Sequence, residues 1–173
     1  RVSNGVIRNW GMSGVYLADG ASNANQHFDS ITASDNGEHG IVCDEHAIIE
    51  NCIAEQNAGH GIHADAYAYI HDCISRQNTQ VGIWAAAGAQ IRDCTAIQND
   101  EEGIYCTSAG SISGCTALSN NGSGISTNWG TVSRCNATTN RGDGFVLGGH
   151  CTLTDSSAVW NVLNGIKTVG ANS

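Results

Sequence analysis

The sequence predicts an all-β fold, a parallel β-helix (β-solenoid) of about eight coils of 21 residues, on three observations. First, a Gly-aliphatic dipeptide recurs at Gly14-Val15, Gly40-Ile41, Gly61-Ile62, Gly82-Ile83, Gly103-Ile104, Gly124-Ile125, Gly144-Phe145 and Gly165-Ile166; after a first gap of 26 the steps are 21, 21, 21, 21, 20 and 21 residues. A fixed period of this size means one supersecondary unit stacked on itself. Second, an Asn column keeps the same phase: Asn36, Asn57, Asn78, Asn99, Asn120, Asn140 and Asn161. Third, apolar residues alternate over short stretches and nowhere show the spacing of a helix.

Within one unit the elements follow in order. Phe28, Ile49, Ile70, Ile91, Ile112, Val132 and Leu153 open it, and three residues later come Ile31, Cys52, Cys73, Cys94, Cys115, Cys135 and Ser156. Two further on lies a small column of Ala33, Ala54, Ser75, Ala96, Ala117, Ala137 and Ala158, then the Asn, then the Gly-aliphatic pair. Residues 70–75 carry two short strands and 82–85 a third. Coils stacked about 4.8 Å apart satisfy one another's backbone hydrogen bonds. Asn side chains at a turn can then bond the same amide above and below, giving a ladder along the axis. A leucine-rich repeat would need Leu-x-Leu before its Asn, where this chain has Cys-x-Ala, and only five Leu occur in all. A left-handed hexapeptide helix would show a six-residue period, which is absent. The right-handed parallel β-helix remains, with residues 18–27 as an irregular insertion.

Composition narrows the function classes. Seven Lys and Arg against sixteen Asp and Glu leave a formal charge of −9, a poor match for nucleic acid or an anionic membrane. No apolar run approaches the roughly 18 residues that span a bilayer. The chain reads as a single domain over 1–173, opening and closing within a repeat, and so as a fragment or processed part of a longer solenoid.

The segment Asp93-Cys94-Thr95-Ala96-Ile97-Gln98-Asn99-Asp100-Glu101-Glu102-Gly103-Ile104-Tyr105, with its siblings, resembles the right-handed parallel β-helix repeats of the pectate-lyase-like superfamily. The resemblance covers nearly the whole chain. It implies the fold, and an extracellular or cell-surface location. It does not select an activity, because lyases, hydrolases, epimerases, adhesins and surface proteins share the architecture. Gly59-His60-Gly61 matches the Gly-His-Gly of polygalacturonase-like hydrolases, but Glu38-His39-Gly40 holds the same register and the repeat accounts for both. The companion motifs of those hydrolases, of pectate lyases and of mannuronan epimerases are missing. No recognisable catalytic constellation is present, and whether the chain is an enzyme stays open.

Cys52, Cys73, Cys94, Cys115 and Cys135 form a second ladder. Their Cα–Cβ vectors run parallel, whereas a disulfide needs a Cβ–S–S–Cβ torsion near 90°. Buried free thiols acting as small hydrophobes are expected. A linear stack also suits a tetrahedral metal site badly.

Three surface features are candidates. His39 and His60 stack at one register and Asp44 and Asp65 at another, with Glu45, His46 and His63 close by, a set able to hold Zn²⁺ or a similar ion or else a solvated polar turn; no cofactor follows from the sequence otherwise, with Ca²⁺ or Zn²⁺ as the options. Trp84 and Tyr105, flanked by His63, lie on an outward column, where they either stack on sugar rings or cover the face of a neighbouring segment. Ile53, Ile74, Ile97 and Leu118, with Val159 beyond, make an apolar outward strip of the kind that marks an interface. Two functional readings follow. One is a structural or interaction module that self-associates end to end, as a filament would, or laterally. The alternative is a glycan-binding or glycan-cleaving β-helix. For the second, the net charge favours neutral glycans over polyuronates unless Ca²⁺ bridges them.

Overall fold

The computed structural model describes residues 1–17 and 26–170. The expected insertion at 18–27 falls outside the described residues except for Gln26 and His27, and His27 opens the strand His27–Ser34. Each typical coil holds three strands of three or four residues, as in Tyr69–His71, Ile74–Arg76 and Ile83–Ala85. Each strand pairs in parallel with its counterpart one coil away, for example Ile70 opposite Ile49 and Ile91. The third strands form an eight-stranded sheet running from Val15–Leu17 to Ile166–Val169. The first and second strands form two faces of one 14-stranded sheet, continuous because Val2–Arg8 and His27–Ser34 each run through a corner. There is no helix among the described residues, hence none long and apolar enough to cross a membrane.

The turns come to about seven rather than the eight expected. The Asn ladder explains the difference. Its seven members begin at Asn36, and the preceding turn places Trp10 at the end of the ladder, where its backbone N–H donates to Asn36 Oδ1 at 3.2 Å.

Corners are made by single residues in the left-handed region. Asn51, Asp72 and Asp93 (φ 56°, 54° and 50°) precede the Cys column, and Gln56, Gln77 and Gln98 (φ 55°, 56° and 54°) precede the Asn column. A third set includes His46, Tyr67 and Trp129 (φ 60°, 60° and 54°). Asn and Asp tolerate this conformation because their short polar side chains bond locally; the other residue types are held there by the ladder around them.

The interior is a stack of layers. Ile49, Ile70, Ile91 and Ile112 from one face meet Ile62, Ile83, Ile104 and Ile125 from another, all fully buried, with the Ala and Cys columns closing the third side. Asn Nδ2 donates up the axis to the next Asn Oδ1 at 2.9–3.0 Å, and its second N–H donates to a carbonyl, as from Asn99 to Ser75 O at 3.2 Å. All eight cysteines are free, as expected. In the Cys column each thiol turns back to the carbonyl two residues before it, as Cys94 Sγ does to Arg92 O at 3.1 Å.

The apolar strip is corrected by the register. Ile53 and Ile74 stack together, but Ile97 and Leu118 stack on Arg76, two residues further along, with Val159 in that second column. The spacing of 23 residues from Ile74 to Ile97, against a repeat of 21, displaces the strip across the inward Ala column. Arg76 pairs with Glu55 in the second column (2.5 Å), and Thr138 parts Leu118 from Val159, so the five residues form two apolar pairs and one isolated residue, not one continuous face.

Candidate ligand site on the eight-stranded sheet

The outward positions of the eight-stranded sheet line up as Tyr16, Val42, His63, Trp84, Tyr105, Ser126, Val146 and Lys167. Strand alternation puts them outside because Ile62 and Ala64, or Ile83 and Ala85, point into the core. His63, Trp84 and Tyr105 are therefore consecutive rungs, all half-buried, as the sequence predicts. Beside them runs the position just before each Gly, occupied by His39 and His60 in adjacent coils.

These two columns meet in a packed group. The His39 and His60 rings stack at 5.0 Å with 13° between planes. The ring of His63 stands edge-on to both, 5.5 Å from His39 and 5.4 Å from His60. Trp84 closes the group, perpendicular to His63 at 4.3 Å and nearly parallel to His60 at 6.3 Å. One ring nitrogen from each histidine lies within 4.8 Å of one from each of the others.

Backbone bonds orient two of these rings. The His60 N–H donates to His39 Nδ1 at 2.8 Å, and the Val81 N–H donates to His60 Nδ1 at 3.2 Å. Both Nδ1 atoms accept, so each neutral ring carries its proton on Nε2 and presents it as a donor. His63 Nδ1 is buried and has no hydrogen-bond partner. Burial pushes the His39 pKa down. For His60, burial and then repulsion from His39 and His63 take it to about 4, and burial followed by repulsion from His39 lowers His63. All three are neutral at neutral pH.

Asp44 and Asp65 do not join the nitrogens. Asp44 is buried and engaged with Gln26, accepting from Nε2 at 3.4 Å while its own N–H donates to Gln26 Oε1 at 3.2 Å. Asp65 is exposed and lines the same recess as His39 and His63, a cavity of about 280 Å³ that also touches Tyr16, Val42 and Cys43. Sequence spacing put His63 with the aromatics and close to His39 and His60; the approach of the two columns turns that proximity into ring contact. A second polar group was not singled out from sequence. Glu50 bridges His27 Nε2 (2.5 Å) and His71 Nε2 (3.0 Å), and His71 Nδ1 meets Asp72 at 2.9 Å. The signal was there, since Glu50 and His71 are one repeat apart.

A family described as a right handed beta helix region matches residues 1–113. Among solved structures, a T265N mutant of the periplasmic alginate epimerase AlgG is similar with a TM-score of 0.68 and 14% identity, over 84% of this chain and 46% of that one. AlgG without the mutation gives 0.58 and 14%, over 83% and 45%. The A-module of the Azotobacter vinelandii mannuronan C-5 epimerase AlgE4 gives 0.62 and 14%, over 86% and 58%. At that identity the likeness shows the fold, and this chain spans about half the length of those proteins. No curated protein matches.

Proposed function

The chain belongs to the right-handed β-helix family, and on that footing we propose that it is a saccharide-contacting segment whose binding strip is Trp84 and Tyr105 flanked by His63. One observation carries the reading. The Trp84 indole packs against His63 and His60 on the outer face of a parallel sheet, with Tyr105 on the next rung. Aromatic rings of this kind offer large apolar area at little entropic loss, and successive rungs about 4.8 Å apart suit consecutive contacts along an extended chain. The Nε2–H donors of His39 and His60 lie alongside, able to donate to hydroxyl oxygens.

The preferred ligand is a neutral glycan. A net charge of −9 opposes a polyuronate, and Glu102 lies on the pre-glycine column one coil past Val81. The structural neighbours include alginate epimerases, which supports a glycan-directed role and an extracellular or periplasmic setting. The lateral self-association expected from the sequence loses the continuous strip it would have used, whereas end-to-end addition rests on the strand edges and is untouched by that division.

A glycan array that includes neutral and uronate oligosaccharides tests the reading with the untagged chain. Binding to a neutral glycan, weakened at least about tenfold in Trp84→Ala at unchanged thermal stability, is expected for a stacked aromatic contact. Absence of any glycan binding, or binding indifferent to Trp84→Ala, overturns it.

A further inference from the structure

We propose that His39, His60 and His63 form a binding site for a divalent transition-metal ion, Zn²⁺ above all, with an open coordination position facing the recess beside Asp65. The site lies across two faces of chemistry: two histidines come from the pre-glycine column in adjacent coils, and the third from the outward column of the sheet. It stands whether or not a saccharide binds at Trp84.

The ring arrangement fits. A tetrahedral ion bound at about 2.0–2.1 Å from imidazole nitrogen holds its ring centroids about 5 Å apart. Here the three centroids form a nearly equilateral triangle of 5.0, 5.5 and 5.4 Å. The nitrogens, within 4.8 Å of one another, must close to about 3.4 Å, and the His39 and His60 rings must turn out of their 13° stack, because each lone pair lies in its ring plane. His63 Nδ1, buried without a hydrogen-bond partner, is a ligand atom with nothing else to bond. Electrostatics agree, since Asp65 shares the recess and Glu38 adjoins His39. Neutral imidazoles favour uptake too, because no proton has to leave before the ion enters.

The backbone bonds set the terms of entry. With Nδ1 of His39 and His60 accepting from His60 N–H and Val81 N–H, each Nε2 carries a proton and cannot bind a cation. The ion therefore takes Nδ1 in place of those two backbone hydrogens, or a flipped ring, and two neutral hydrogen bonds are exchanged for bonds to the metal. Imidazole nitrogens select zinc, copper and nickel over calcium or magnesium, which prefer oxygen.

Isothermal titration calorimetry of the untagged chain with ZnCl₂, in a non-chelating buffer at pH 7.5, tests the site. One equivalent binding at micromolar Kd or tighter is expected, with at least a 30-fold loss in His63→Ala and in His39→Asn. The second variant keeps an oxygen acceptor for the His60 N–H and so separates loss of a ligand from loss of fold. His46→Ala, in a different corner of the coil, is expected to bind as the parent does. CaCl₂ is expected to give no heat of binding. An absence of saturable zinc binding below 100-fold that concentration range, or unchanged affinity in both His63→Ala and His39→Asn, overturns the proposal.

Discussion

Asn78 gives both its backbone N–H (3.1 Å) and its side-chain Nδ2 (3.0 Å) to a single atom, Oδ1 of Asn99 one coil away. Asn99 passes the pattern on to Asn120, and both residues are buried. The ladder thus satisfies a backbone donor at a corner where no strand partner is available. Asn99→Ala leaves the Asn78 N–H and one Asn78 Nδ2 hydrogen without that acceptor. At about 1–3 kcal/mol for each buried unsatisfied group, the variant is expected to lose about 3 kcal/mol or more. Urea unfolding checks this, and a loss below about 1 kcal/mol would remove the ladder from the account of stability.

Gly82 illustrates why the Asn-x-x-x-Gly spacing is rigid. A Cβ there would sit 2.5 Å from Asn99 Nδ2 and 2.6 Å from Gly103 O, the ladder and the backbone of the next coil. Neither can retreat without breaking hydrogen bonds made by every coil beyond it. Gly82→Ala is expected to destabilise by about 3 kcal/mol, at the upper end for overpacking. Gly11→Ala, with nothing within 4 Å of its added Cβ, is the matched control and is expected to stay near the parent Tm.

The fold was legible because solenoid contacts are contacts between equivalent residues. Once the 21-residue step is found, Ile70 must pair with Ile49 and Ile91, and Cys94 with its neighbours. The outward column His63, Trp84 and Tyr105 follows from the same step. What periodicity does not convey is how two different columns approach each other. His63 meeting His39 and His60 depends on the turn at Gly61, and the tautomers depend on two backbone N–H bonds. The apolar strip misled for the same reason in reverse, since Ile74 and Ile97 look alike in character but differ by 23 residues and not 21.

Thr139 stands at a corner with φ 54°, a conformation that a β-branched side chain strongly resists. Its hydroxyl bonds Ser119 at 2.9 Å and Thr138 O at 2.7 Å, which offsets part of the strain. Asn tolerates the left-handed region and keeps a polar group toward Ser119. Thr139→Asn is expected to raise stability by about 1 kcal/mol. A drop in Tm would mean that the Thr139 hydroxyl bonds outweigh the backbone strain.

The thiols are expected to be inert in the folded chain. Burial pushes Cys43 up to about 12 and likewise raises Cys106, so neither supplies thiolate near neutral pH. A disulfide exchange reagent at pH 8 should modify at most Cys151, the one cysteine that is not buried, and all eight after denaturation. Rapid native modification of Cys43 or of the ladder thiols would contradict the closed interior.

His60 ties the site to stability. Its pKa of about 4 in the fold lies below the roughly 6.5 of an unfolded histidine. Above pH 6.5 the ring is neutral in both states, and its full contribution is present. As pH falls, the unfolded chain takes up the proton first, so stability declines between about 6.5 and 4 and this contribution levels off below the folded value. The ceiling is about 1.4 kcal/mol per pH unit, reduced in practice because the site is half-buried and solvent screens it. Carboxylates titrate in the lower part of the same window, so the informative quantity is the difference between parent and His60→Gln in metal-free buffer. The variant should lose less stability than the parent from pH 7 to 4.5. Parallel pH profiles would show that His60 stays as easily protonated in the fold as in the unfolded chain, and that the stacked histidines are not held neutral by their burial.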